Sequence, residues 1–283
     1  MTIVVTGATG HYGRLAVEAL LARGVPPAQV VATGRRTEVL DDLAARGVVV
    51  RHADYDDPAS LDAAFAGASR LLFVSGSEVG KRLQQHRNVV DAAARAGIRH
   101  LAYTSAPHAD TSPLPVNPDH KATEELIAAS GLPATILRHN WYNENYLPDL
   151  ATARETGEVV SATGAGLIAS ASRADYAEAA AAVLTQDGHE GKVYELGGDT
   201  AWDYDQLAAT LSQVVGRPVV RRNLAPDERH AQLVAAGLPD EVAAFVTAMD
   251  TAIADGALAD VTGDLSRLAG RPTTPLKETL AAG

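Results

Sequence analysis

The 283-residue chain contains no cysteine. That absence excludes disulfides, thiolate nucleophiles, iron–sulfur clusters and cysteine-ligated zinc. Nothing in it opposes a reducing cytoplasm, the expected location. Cations are in deficit, with 24 Lys and Arg against 35 Asp and Glu, a net charge of −11. Such a surface repels a phosphate backbone, so nucleic acid is not an expected partner. No apolar run has the length of a membrane span. The opening Met1-Thr2-Ile3-Val4-Val5-Thr6-Gly7 lacks a basic region before a long apolar segment, so no secretory signal is expected. The histidines are not spaced as H-x-x-x-H and there is no G-x-S-x-G elbow, so neither a metal site nor a serine nucleophile is expected. Aromatic residues are scarce at 5%.

What is present is an alternation of short β-branched runs with longer helical patterns, the mark of βαβ units and a parallel sheet. Strands are expected at Ile3–Thr6, Val30–Thr33, Val48–Arg51, Leu71–Ser75, His100–Thr104 and Ala134–Leu137. Helices are expected at Arg14–Ala22, Glu38–Ala45, Ala59–Ala66, Arg82–Ala96 and His120–Ala129. Val89, Val90, Ala93 and Ala94 mark the apolar face of the fourth. Asp57-Pro58 reads as an N-cap followed by Pro at the first helical position. After Trp141 the pattern loosens through the Gly- and Ala-rich stretch from Ser161 to Gly166. A helix at Arg173–Leu184, a strand at Val193–Leu196, helices at Tyr204–Val215 and Asp240–Asp255, and a short strand near Val219-Val220 follow. The fold class is therefore α/β: a doubly wound parallel sheet of Rossmann type with a smaller, mostly helical C-terminal substrate domain. Residues 1–150, completed by about 171–196, form the nucleotide-binding domain; residues 151–170 and 197–283 form the smaller one. The sequence leaves the oligomeric state open.

The strongest local signal is Gly7-Ala8-Thr9-Gly10-His11-Tyr12-Gly13, directly after the first strand and opening a helix. Its first gap is one residue wider than in G-x-G-x-x-G, but the physics is shared: a tight turn, close backbone approach to a pyrophosphate, and free N–H groups at the positive end of a helix. The alternative is an ordinary glycine turn. At the end of the second strand stands Gly34-Arg35-Arg36, with no acid to hold a ribose 2′-hydroxyl. Arg35 suits a 2′-phosphate, so NADPH is favoured over NADH; the alternative is two solvated arginines.

With these residues assembled, the chain resembles the short-chain dehydrogenase superfamily in its atypical NmrA-like branch, and within that branch the NAD(P)H:quinone oxidoreductases. The resemblance covers nearly the whole chain. It rests on Thr6-Gly7-Ala8-Thr9-Gly10, Ala53-Asp54-Tyr55, Ser77-Glu78-Val79-Gly80, Gln85-His86-Arg87-Asn88-Val89, Ala102-Tyr103-Thr104-Ser105, His108-Ala109-Asp110-Thr111-Ser112-Pro113, Trp141-Tyr142-Asn143-Glu144-Asn145-Tyr146 and Ser172-Arg173-Ala174-Asp175-Tyr176. It implies that Gly7, Ala8, Thr9, Gly10, His11, Tyr12 and Gly13 hold the pyrophosphate, Arg35 the 2′-phosphate, and that Asp54 lies near the adenine. Ser75, Gly76 and Ser77 line the path toward the nicotinamide. His139, Asn140, Trp141, Tyr142, Asn143 and Glu144 close over it, and Trp141, Tyr142 and Ser170 touch the substrate.

The superfamily's usual Tyr-x-x-x-Lys pair is missing here. Where many relatives place the Lys stands His120, with Val116 four residues before it, while Ser105 resembles the superfamily's active-site Ser. Hydride addition to a ketone creates a basic alkoxide and calls for a placed acid, whereas a quinone gives a delocalised hydroquinone anion. The candidate catalytic residues are His120, Tyr142 and Asn143. The expected function is NADPH-dependent, flavin- and metal-free reduction of a small quinone; the alternative is a non-catalytic NADP(H)-binding redox sensor of the same group.

Overall fold

The computed structural model describes residues 1–78 and 80–283; Val79, one residue of the Ser77–Gly80 segment, lies outside the described residues. The first half alternates β1 (Ile3–Val5), α1 (His11–Ala22), β2 (Val30–Gly34), α2 (Asp41–Ala45), β3 (Val49–His52), α3 (Pro58–Phe65), β4 (Arg70–Phe73), α4 (Arg82–Arg95), β5 (His100–Ser105), α5 (Asn117–Ser130) and β6 (Ala134–His139). Then come α6 (Leu147–Thr156), β7 (Glu158–Ser161), α7 (Arg173–Thr185), β8 (Val193–Leu196), α8 (Tyr204–Val215), β9 (Val220–Asn223), α9 (Pro226–Ala235), α10 (Asp240–Ala254), α11 (Asp264–Ala269) and α12 (Leu276–Ala282).

Seven parallel strands form one sheet in the order β3-β2-β1-β4-β5-β6-β8. Every residue of β1, β2 and β5 is buried, which is why those runs do not alternate polar and apolar. One face packs against α1, α7 and α11 through residues such as Val17, Leu20, Ala180 and Leu265. The other packs against α3, α4 and α5 through Leu61, Phe65, Val89 and Ile127. Each large apolar side chain so buried contributes roughly 1.5–3 kcal/mol.

Asp57 caps α3, its carboxylate accepting from Ala59 N–H with Pro58 at the first helical position, as the dipeptide suggested. The expected face of α4 needs one correction. Val89, Val90 and Ala93 are buried, but Ala94 is exposed and Ala92 is buried instead. Gln85 and His86 are also buried, so the inward stripe runs along Gln85, His86, Val89, Ala92 and Ala93, and Ala94 falls beyond its edge. The loosely patterned region holds a strand the sequence did not reveal. β7 pairs in parallel with β9, Glu158 against Val220 and Ser161 against Asn223, as a separate two-stranded sheet. Around it α8, α10 and α12 bury Trp202, Leu207, Leu211, Ile253 and Leu280. No helix among the described residues is long and apolar enough to cross a membrane.

Candidate functional site

β1 lies between β2 and β4, so the chain leaves β1 toward one side of the sheet and β4 toward the other. A crevice opens where strand order reverses, beyond the carboxyl ends of the strands. There the structure has a cleft of about 390 Å³, within the range of ligand sites. Gly7, Thr9, Gly10, His11, Tyr12 and Gly13 line it after β1, Gly34 and Arg35 at the end of β2, Ala53 to Tyr55 after β3, and Val74 to Glu78 after β4. Gln85 from α4 and Arg173 from α7 complete the wall.

The three glycines of the first turn do different work. Gly7 has φ +62°, a conformation that disfavours side chains. A Cβ at Gly13 would overlap the Gly7 carbonyl oxygen and stand 2.9 Å from Ala8 Cα, so the helix approaches the turn too closely for any other residue. A Cβ at Gly10 meets only the Gly7 carbonyl, at 3.4 Å. The protein itself therefore leaves Gly10 room, and that room faces the cleft. Gly10 is also the N-cap of α1, without a side-chain cap and without an acid in the first turn. The positive end of α1 thus lacks a local carboxylate partner, a setting that fits a pyrophosphate. Ala8 is fully buried and donates its N–H to the Thr33 carbonyl at 2.8 Å, so it shapes the turn without lining the cleft.

Side chains from below fasten the loops that form the wall. Tyr55 Oη bonds Thr6 Oγ1 at 2.6 Å and the Val74 carbonyl at 2.7 Å, tying the exits of β1, β3 and β4 together. The Ser75 N–H donates to Thr104 Oγ1 at 2.9 Å. The Gly76 peptide is held from both sides: its N–H donates to His86 Nε2 at 2.9 Å, and its carbonyl accepts from Arg82 Nε at 2.7 Å. His86 Nε2 is an acceptor, so its proton sits on Nδ1, which faces Thr123 Oγ1 at 2.8 Å. Burial, reinforced by Arg82, pushes the His86 pKa down to about 3 and keeps the ring neutral.

At the outer end Arg35 is exposed, its Nη1 2.9 Å from Glu78 Oε1. Asp54 lines the cleft while its Oδ1 accepts the Asp56 N–H at 3.0 Å, so it both faces the cavity and shapes the turn into α3. Arg36 is exposed and does not line the cleft.

The segment from His139 to Glu144 does not itself line this cleft and meets its wall at Arg173. Arg173 reaches over the Tyr142 ring at 4.7 Å, and Tyr142 Oη bonds His139 Nδ1 at 3.0 Å. The His139 ring stacks on Tyr176 and meets Tyr12 edge-on, and burial lowers its pKa to about 3. Asn140 donates to the Leu258 carbonyl, and Trp141 accepts from Tyr176 Oη through its own carbonyl. Asn143 is fully buried: its Nδ2 donates to Thr274 O and Thr279 Oγ1, and its Oδ1 accepts from Ser170 Oγ at 2.6 Å. Ser170 in turn accepts from Trp202 Nε1 at 3.0 Å, so its hydroxyl is engaged inside the protein. Glu144 takes the Arg173 N–H with both oxygens, capping α7.

His120 is buried on α5, 2.9 Å from Tyr103 Oη through Nδ1, and burial lowers its pKa to about 3. It does not line the cleft. Ser105 Oγ donates to Glu124 at 2.5 Å, and Glu124 also grips Arg138, so that hydroxyl is consumed by an ion-pair network. Sequence reasoning singled out neither Tyr55, Glu78, Gln85 nor Arg173 as site residues, although each lies in a segment that carried the resemblance. The available signal was polar or aromatic residues within those segments.

The family model described as NAD(P)H-binding matches residues 7–187. Quinone oxidoreductase 2 of Escherichia coli is 48% identical over 279 residues, covering 99% of this chain and 97% of that protein. The crystal structure of an NADPH-dependent quinone oxidoreductase from Escherichia coli complexed with NADPH superposes with a TM-score of 0.95 at 47% identity, covering 99% of both chains. An NmrA-like family domain-containing oxidoreductase of Aspergillus flavus is 33% identical over 81% of this chain and 76% of that protein. Matching turn, cleft and whole-length likeness together place this chain in the NAD(P)H-binding, NmrA-like family of oxidoreductases.

Proposed function

We propose that the chain is an NADPH-dependent quinone reductase that uses neither flavin nor metal. The observation that carries the reading is the cleft at the switch point. A glycine turn and an unopposed helix N-terminus stand at its centre, and Arg35 stands at its outer end with no acid on β2 beside it. The whole-length likeness to quinone oxidoreductase 2 supports the same substrate class.

In this proposal the Gly7–Gly13 turn and the start of α1 bind the pyrophosphate, and Arg35 takes the 2′-phosphate. Ser75, held by Thr104, and Gly76, held by His86 and Arg82, seat the inner half of the dinucleotide together with Ser77. When bound, NADPH supplies the hydride. Tyr142, steadied by Arg173 and His139, gives the flat ring a wall, with Trp141 beside it. Asn143 and Ser170 serve by fixing that segment, since their polar atoms are already bonded to each other and to Thr274, Thr279 and Trp202. His120, neutral and bonded to Tyr103, is a poor proton donor at neutral pH; a delocalised hydroquinone anion has little need of one, because solvent can protonate it. The proposed location is the cytoplasm, where NADPH is supplied.

The test is NADPH oxidation with a panel of benzo- and naphthoquinones in flavin-free buffer. Steady turnover with quinones, and little with simple aldehydes or ketones, is expected. Tight NADPH binding without turnover on any acceptor would instead assign the chain to redox sensing.

A further inference from the structure

The mouth of the cleft carries a charge arrangement that hydride transfer does not require. Arg35 Nη1 lies 2.9 Å from Glu78 Oε1, and Glu78 Oε2 lies 3.4 Å from Lys81 Nζ. Arg35 follows β2 and Glu78 follows β4, so the pair links two walls of the same cavity. The two side chains are 63% and 33% exposed, and pairs this open contribute little to folding. Stability does not account for a carboxylate in that place.

We propose that Glu78 is a second specificity-determining residue for the dinucleotide, opposed to Arg35. The inference rests on the reading of Arg35 as the 2′-phosphate contact. A guanidinium grips a phosphate with paired N–H groups, and Nη1 here already points at the Glu78 carboxylate. A 2′-phosphate arriving at Arg35 meets that carboxylate as a competitor and as a like charge. Lys81, beside the second oxygen, is the partner to which Glu78 can turn when the phosphate takes Arg35. With NADH no phosphate arrives, the ion pair persists, and a carboxylate at the ribose can accept the 2′-hydroxyl. Acids at the end of the second strand play that part in NAD-selective sheets; here the acid comes from the loop after β4. Glu78 therefore narrows the preference that Arg35 creates and keeps NADH usable.

The experiment measures dissociation constants of NADPH and NADH by calorimetry for the wild type, Glu78→Gln and Arg35→Ala. Glutamine keeps the size and hydrogen bonding and removes the charge. For Glu78→Gln, NADPH should bind about threefold or more tightly and NADH somewhat more weakly, with an unchanged melting temperature. The gain for NADPH should shrink at high salt. An affinity ratio that stays the same, or moves toward NADH, would overturn the inference. Arg35→Ala separates the two readings. Equal losses for both dinucleotides would sink the Arg35 assignment. A loss confined to NADPH, with an unmoved ratio in Glu78→Gln, would sink Glu78 alone.

Discussion

His86 accepts the Gly76 N–H through Nε2 at 2.9 Å, so a ring on α4 sets the peptide orientation of the loop after β4. His86→Ala should leave a part-buried N–H without its partner, at a cost of about 1–3 kcal/mol. The Michaelis constant for NADPH should rise several-fold, the NADPH-to-NADH preference should hold, and melting should occur earlier. Unaltered cofactor affinity in a less stable variant would show that the contact serves folding alone.

His86, His120 and His139 also predict how stability responds to acid. Burial holds all three at a pKa of about 3 in the folded chain, against 6.5 as the ordinary value. The unfolded state therefore binds more protons between those limits, so their neutral burial costs nothing above pH 6.5 and destabilises progressively as pH falls toward 3. The loss is on the order of 1–2 kcal/mol per ring at pH 5. Asp149, raised by burial to about 6, works in the opposite direction between roughly pH 4 and 6 and offsets one part of it. Thermal melts from pH 7.5 to pH 5 should show a steep decline, shallower once His120 is replaced by Asn. A flat profile would contradict the buried, neutral assignment.

The glycine turn gives a contrast between two variants. Gly10→Val should fold normally and fail to bind NADPH, because the side chain has room in the protein and takes that of the pyrophosphate. Gly13→Val should be destabilised by several kcal/mol, since its Cβ collides with the Gly7 backbone. Calorimetry and melting curves on both will check this. NADPH affinity retained by Gly10→Val would remove the phosphate assignment.

Arg35→Ala should weaken NADPH by about 1.5–3 kcal/mol and hardly affect NADH, as expected for a lost charge-assisted contact. Titration of both dinucleotides against the variant reads the difference directly.

His120→Ala should lower quinone turnover by less than about tenfold, well short of the roughly 10²–10⁴-fold cost of losing an essential acid. Tyr142→Ala should raise KM and lower kcat together. A collapse of kcat in His120→Ala with an unchanged melting temperature would restore His120 as the proton donor.

The sequence by itself determined the parallel sheet and the centre of the cleft. Strands β1, β2 and β5 are buried on both faces, so their composition alone marks them, and the glycine turn after β1 is a contiguous run whose demands on Gly7 and Gly13 are local. The position of Arg35 follows from its place at a strand end. Tertiary structure alone decided the rest. β7 is too short to announce itself and exists through pairing with β9, some sixty residues later. Glu78 and Gln85 reach the cleft because strand order reverses at β1 and β4, and Arg173 because α7 packs against α1, neither of which a local pattern records. Asn143, Ser170 and His120 have chemistry that suits a site as well as an interior. Whether such groups face a ligand or one another depends on which neighbours saturate their hydrogen bonds, and only the packed fold supplies those neighbours.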